Sequence, residues 1–293
     1  MAARADGLRA ERTPYVLATV VRAQRPTSAK PGDRALLLPD GTIEGFVGGA
    51  CAESTVRLQG LQLLKTGEST LLRITPEPAP STEDGLVVVE NPCLSGGTLD
   101  IFLEAVVPPV LVQVFGTAPI ARALQTVGAA VGYEVRLTVD PGEVIPPDAS
   151  AVVVASHGRD EEAVLGAALR AGVPYVALVA SPRRGAAVLA ALGADRDRVR
   201  SPAGLDIGAR TPEEVALSVL AEVVSLRPTP RVAPGPRTTL PIAEAATATD
   251  PVCGMSVAVS PASLQLEHAG STWYFCGPGC RQAFADDPAR YGG

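Results

Sequence analysis

VLVQVFGTAPIARAL, residues 110–124, begins as a run of apolar, mostly β-branched residues. Such a run reads as a buried parallel strand. The chain then turns at Gly116 and continues as a small-residue helix carrying Ala118, Ala121 and Ala123. A strand that turns through glycine into a helix directs free N–H groups and a positive dipole end at whatever sits above the turn. That is an anion site, usually for phosphate. The full dinucleotide fingerprint needs glycine at three positions. Here Gly116 holds the first, Ala118 and Ala121 take the other two, and Pro119 rigidifies the turn. A phosphate-binding turn and an ordinary β-turn-α unit are both open on this motif alone.

Outward toward the C-terminus the same alternation repeats. Strands are expected over residues 134–139, 151–155 and 175–179, and helices over 119–131, 161–171 and 184–192. This pattern predicts an α/β fold: a parallel sheet with helices on both faces and ligands at the carboxyl ends of the strands. Asp140 lies 24 residues after Gly116 at a strand end. An acid there meets a ribose hydroxyl in nucleotide-binding folds, or is simply a solvated loop aspartate. His157, one of two histidines, also follows a strand. It suits a metal, a phosphate, proton transfer or a structural hydrogen bond. Gly204, Asp206 and Gly208 form a loop whose backbone is expected to be closely approached, by a ligand or by the other domain. Thr211, Pro212 and Glu214 have the form of a helix cap.

Toward the N-terminus, residues 1–13 read as a polar lead-in. Strands are expected over residues 15–22, 34–38, 42–47, 71–74, 86–89 and 98–106, and a helix from the glycine pair Gly48 and Gly49 to about Gly67. Residues 76–81 read as a Pro-rich surface loop. Cys51 stands at the predicted helix start, where the dipole and free N–H groups stabilise a thiolate. Glu53 shares that first turn. The flanking glycines favour a functional Cys51. Cys93, in NPCLSGG, reads as a small buried hydrophobe. A loop with Ser28, Lys30, Pro31 and Gly32 separates the first two strands.

The 293 residues allow about two domains of roughly 150 each. With 46% hydrophobic, 19% charged and only 4% aromatic residues, the core must be aliphatic. The net charge of −6 without a basic stripe argues against nucleic acid as the main partner. No apolar stretch has a signal-peptide pattern or approaches the ~18 residues of a membrane span, so a cytoplasmic location is expected. Residues 227–248, with five prolines, read as an extended linker. The tail, 249–293, is too short for a self-sufficient core and holds Cys253, Cys276 and Cys280. Their spacing suits a tetrahedral zinc or similar site more than free thiols in a packed mini-fold. His268, Asp250, water or a guest ligand would be fourth.

Three segments, TSAKPG, GFVGGACAE and NPCLSGG, resemble the N-terminal domain of the XdhC/CoxI family, the xanthine dehydrogenase accessory factors. FGTAPIARAL, VVVASHGRDEEAV, VPYVALVASPRRG and SPAGLDIGARTPEEVALSVLAE are similar to that family's Rossmann domain. DPVCGM with YFCGPGC resembles the YHS domain, a treble-clef-like metal-binding module. The resemblance implies an N-terminal α+β domain over 1–107, a Rossmann-like domain over 108–226, the linker, and a YHS module over 249–293. It further implies a maturation factor that binds the molybdenum cofactor (molybdopterin or its dinucleotide), promotes its sulfuration with a cysteine desulfurase and inserts it into an apo molybdenum hydroxylase. We expect an accessory chaperone, as a homodimer, rather than an enzyme with turnover. By resemblance Cys51 and Glu53 would carry the chemistry. Ser28, Lys30, Gly48, Gly49, Cys51, Gly116, Ala118, Asp140, His157, Gly204 and Asp206 would hold the cofactor. The chain departs from the family at Ala50, Lys30 and Ser54. A nicotinamide-dependent oxidoreductase and a metal-binding or redox-sensing protein run by the tail are the alternative functions.

Overall fold

A computed structural model describes residues 1–77, 82–83, 85–91, 97–226 and 246–291. The chain forms two compact units, Met1–Pro108 with Val232–Gly293, and Pro109–Arg231. Among the described residues, no helix is long and apolar enough to cross a membrane.

The first unit opens with α1 (Ala2–Ala10), β1 (Tyr15–Gln24), β2 (Arg34–Leu37) and β3 (Ile43–Gly45). It continues with α2 (Ala50–Thr66), β4 (Thr70–Thr75), β5 (Thr82–Glu83), β6 (Leu86–Glu90) and β7 (Thr98–Val106). The strands form one sheet ordered β3-β2-β1-β7-β4-β6-β5, in which only the β4–β6 neighbours among the described pairs run parallel. Val16, Ala18, Leu72, Ile101 and Leu103 of the sheet share one core with Val56 and Leu63 of α2. Gly67, at φ +72, ends α2 by donating its N–H to the Leu63 carbonyl. The lead-in expected over residues 1–13 is instead α1. Its Ala5 and Leu8 bury against Tyr15 and Leu36, a pairing across the fold that local composition does not signal. The strand expected over 42–47 is shorter because Gly45 and Gly48 take φ of +119 and +137.

The second unit runs β8 (Leu111–Phe115), α3 (Pro119–Ala130), β9 (Glu134–Thr138), β10 (Ala149–Val154), α4 (Glu161–Arg170), β11 (Tyr175–Leu178), α5 (Pro182–Ala191), β12 (Val199–Arg200) and α6 (Pro212–Ser225). Its sheet is parallel throughout, ordered β12-β11-β10-β8-β9. The two faces carry separate cores. Ala121, Leu124, Val219 and Val223 of α3 and α6 cover one, and Leu165, Leu169 and Val188 of α4 and α5 cover the other. The expected α/β layering is therefore present. Thr211 caps α6 in a reciprocal capping box with Glu214. The edge strand β12 escaped the sequence reading because two residues show no periodicity.

The tail contributes β13 (Thr247–Thr249), β14 (Ser256–Ala258), β15 (Leu264–His268), β16 (Ser271–Phe275), α7 (Pro278–Asp286) and α8 (Pro288–Tyr291). Phe284 is fully buried, with the rings of Trp273, Phe275 and His268 centred 5.1, 5.4 and 5.8 Å away. β14 packs against α2, so the tail rests on the N-terminal part of its own unit. The expected linker at residues 227–245, the loop at 78–81 and Cys93 lie outside the described residues.

Candidate functional site

Cys253, Cys276 and Cys280 come together in the tail. The sulfurs of Cys253 and Cys276 are 3.6 Å apart, and those of Cys276 and Cys280 are 3.7 Å apart. With a carboxylate oxygen of Asp250 they form a group whose ligand atoms all lie within 4.8 Å of one another. Four ligands at about 2.3 Å from a tetrahedral zinc are about 3.8 Å apart, so the thiol spacing fits such an ion. Local structure sets the spacing. Gly254, at φ +77, turns the chain after Cys253, Cys276 follows β16, and Cys280 lies in the first turn of α7. Asp250 is fully buried and accepts the N–H groups of Val252 at 2.9 Å and Cys276 at 2.8 Å. His268, the other candidate ligand, stands edge-on to Phe284 and outside this group. A hydrogen bond with Cys51 and burial push the Cys276 thiol far above the usual range, and burial pushes Cys280 up to about 12.

Cys51 sits in the first turn of α2, half-buried, with Glu53 half-buried two residues on. Gly48 leads in at φ +137, and a Cβ there would come within 3.0 Å of Ala52 and 3.1 Å of Leu99. Gly49 caps the helix in an extended conformation, with no side-chain cap. The Thr55 hydroxyl donates to the Cys51 carbonyl and accepts from Asn91, at the edge of the NPCLSGG stretch. At the other end of that stretch Gly97 abuts Pro26, where a Cβ would overlap the Pro26 carbonyl oxygen. The loop after β1 is tied down by Ala29, buried in the α2 core, and by the Lys30 N–H donating to Asp33 at 2.7 Å. Ser28 and Lys30 themselves are exposed.

In the second unit a cleft of about 330 Å³ opens at the carboxyl ends of β8 and β10. Gly116, Ala118 and His157 line it, joined by Arg159 and Asp160. α3 begins at the cleft with Pro119 in its first turn and no side-chain cap. Gly116 has φ +127, and a Cβ there would strike the Ala155 carbonyl, so its own neighbouring strand requires the glycine. The 156–160 loop is braced from behind. The Glu161 side chain is 2% exposed, accepts the Gly158 N–H at 2.9 Å and pairs with Arg184 at 2.8 Å. Arg184 also donates to the Val179 carbonyl. The sequence reading missed this pair. The segments RDEEAV and SPRRG hold the two charges, but nothing local says which acid meets which arginine.

Three other expected cofactor residues fall outside the cleft lining. Asp140 follows Val139, which does line it, and accepts the N–H of Gly142 at 2.8 Å within its own turn. The close approach expected at Gly204 is made by α6 of the same unit, where a Cβ would overlap the Ser218 hydroxyl. The Gly204 N–H donates to Glu222, which also accepts the Tyr175 hydroxyl at 2.6 Å. Asp206 is exposed on that loop.

Comparison with known proteins matches residues 8–75 to the XdhC and CoxI family, residues 112–223 to the XdhC Rossmann domain and residues 248–293 to the YHS domain. The chain is 25% identical over 295 residues to the uncharacterized protein YqeB of Escherichia coli, covering 90% of this chain and 52% of YqeB. It is 25% identical over 268 residues to the molybdenum cofactor insertion chaperone PaoD of Escherichia coli, covering 72% of this chain and 83% of PaoD. With a probable xanthine dehydrogenase subunit from Bacillus subtilis it shares 24% identity over 155 residues, 44% of this chain and 47% of that one. The chain thus spans about half the length of the first and third of these relatives.

Proposed function

Because the chain belongs to the XdhC and CoxI family and carries a YHS domain at its C-terminal end, we propose that it is a maturation factor that binds the molybdenum cofactor and inserts it into a molybdenum hydroxylase. The similarity to PaoD over 83% of that chaperone's length carries the reading.

The residues of this chain fit such a ligand. The cofactor supplies a phosphate and a soft, dithiolene-bound metal when bound. The cleft at β8 and β10, at about 330 Å³, is the size of a small-molecule site. The first-turn N–H groups of α3, left without a side-chain cap, would take the phosphate. Arg159 and His157, on the cleft wall, add donors beside it. Cys51 offers a soft thiolate for the metal or for sulfur passage, in the first turn of α2 where the helix dipole favours the anion. Glu53 is the carboxylate of that same turn. The proposal extends to sulfuration of the cofactor with a cysteine desulfurase as partner, to a homodimeric assembly and to action in the cytoplasm.

Thermal-shift titration of the full chain with molybdopterin and, separately, with NADH tests the reading. Stabilisation by molybdopterin alone is expected. Stabilisation by NADH alone would replace the chaperone with a nicotinamide-dependent oxidoreductase.

A further inference from the structure

We propose that Cys51 is the fourth ligand of a thiophilic metal ion held by Cys253, Cys276 and Cys280, so that one ion fastens the tail to α2. This inference draws on the thiol that the cofactor reading also uses, and it is tested with the metal ion alone, without cofactor.

The tail is seated on the start of α2. A Cβ placed at Gly277, the cap of α7, would lie 3.8 Å from the Cys51 sulfur and 3.6 Å from the Ala50 Cβ. Gly277 directly follows Cys276, so the Cys51 sulfur lies beside the Cys276 end of the cluster. β14 packs on α2 beside them, and Ser260 reaches the Gly41 turn, whose carbonyl accepts from Arg57 of α2. Cys51 is therefore at the edge of the thiol group through tertiary packing, not through any motif.

The fourth position has two other contenders from within the tail. Asp250 belongs to the close group, but its oxygens accept backbone N–H groups from Val252 and from Cys276, and a thiophilic ion prefers a thiolate to a carboxylate. Those bonds hold the Cys253 turn against the end of β16, so Asp250 serves as the brace of the site. His268 is packed on Phe284. Among the described residues, Cys51 is a fourth thiol beside the cluster. It is not within the 4.8 Å group, so ligation requires its side chain to rotate toward Cys253 and Cys280.

Charge favours the arrangement. Cys51 is in the first turn of α2 and Cys280 in the first turn of α7, so two positive helix ends converge on the thiols. Four thiolates around a dication leave a net negative site, which those ends offset. Each thiol gives its proton to solvent as its metal–sulfur bond forms, and no electron is transferred.

The test uses the full chain loaded with Co(II) alone. The sulfur-to-cobalt charge-transfer band should lose about a quarter of its intensity in Cys51→Ser, one thiolate of four. In the wild-type chain, adding Zn(II) should slow alkylation of Cys51, located by mass spectrometry, by roughly tenfold or more, along with the three tail thiols. An unchanged band in Cys51→Ser, or Cys51 alkylated at its metal-free rate while the tail thiols are protected, would overturn the proposal. The alkylation measurement needs no variant, so it decides the matter even where Cys51→Ser fails to fold.

Discussion

The sulfur of Cys51, in the first turn of α2, lies 3.8 Å from the place of a Cβ at Gly277, the residue directly after Cys276. Residues 225 positions apart in sequence thus share one thiol environment. The position proposed for the cofactor in the N-terminal domain is also the place where the tail docks.

Metal binding by the tail should strengthen as pH rises. The Cys276 thiol is pushed up by its bond to Cys51 and by burial, and Cys280 by burial to about 12, so both carry protons at neutral pH without metal. The ion must displace those protons, and each tenfold fall in proton concentration favours the bound form. Competition titrations with a zinc chelator from about pH 6 to about pH 8 should show the apparent affinity climbing steadily. A flat profile would point to oxygen ligands in place of thiolates.

Arg184→Met should destabilise the second unit. It removes the partner of Glu161, whose side chain is 2% exposed, while Arg184 itself is 35% exposed. Leaving a buried carboxylate unpaired costs about 3 kcal/mol at full burial, and partial access to water reduces this to about 2 kcal/mol. Urea unfolding should show the midpoint falling, and Glu161→Gln in the same chain should restore part of it. A midpoint equal to wild type would mean that the pair does not hold the 156–160 loop.

Gly116→Val should act on stability before it acts on any ligand. The new Cβ would meet the Ala155 carbonyl, and valine disfavours φ +127. A loss of about 2 kcal/mol or more is expected from overpacking and backbone strain together. Wild-type urea stability with weakened phosphate binding would contradict this and make Gly116 a ligand contact only.

The second unit was legible because its signals are local. Mostly apolar runs of four to six residues make β8, β10 and β11, and Pro119 and Pro212 mark helix starts. Cys276 and Cys280 were legible as a pair by spacing, and Cys253 by its glycine turn. What escaped depends on contacts made only after folding. α1 is held by Tyr15 and Leu36, Glu161 by Arg184, and the tail by the fit of Gly277 to Ala50 and Cys51. Gly204 misled for the same reason: its crowding comes from Ser218 in α6, and a glycine between polar residues looks alike whether helix or ligand approaches.

The chaperone reading with Cys51 at its centre stands or falls on cofactor retention by the full-length chain. Wild type and Cys51→Ser would be mixed with molybdopterin under reducing, anaerobic conditions, passed through gel filtration, and assayed for bound pterin and for fold by circular dichroism. The account predicts that wild type retains pterin, and that Cys51→Ser keeps its fold and retains roughly tenfold less, as expected for loss of a soft metal ligand. Equal retention by both proteins would contradict the role of Cys51, and no retention by wild type would contradict the chaperone function itself.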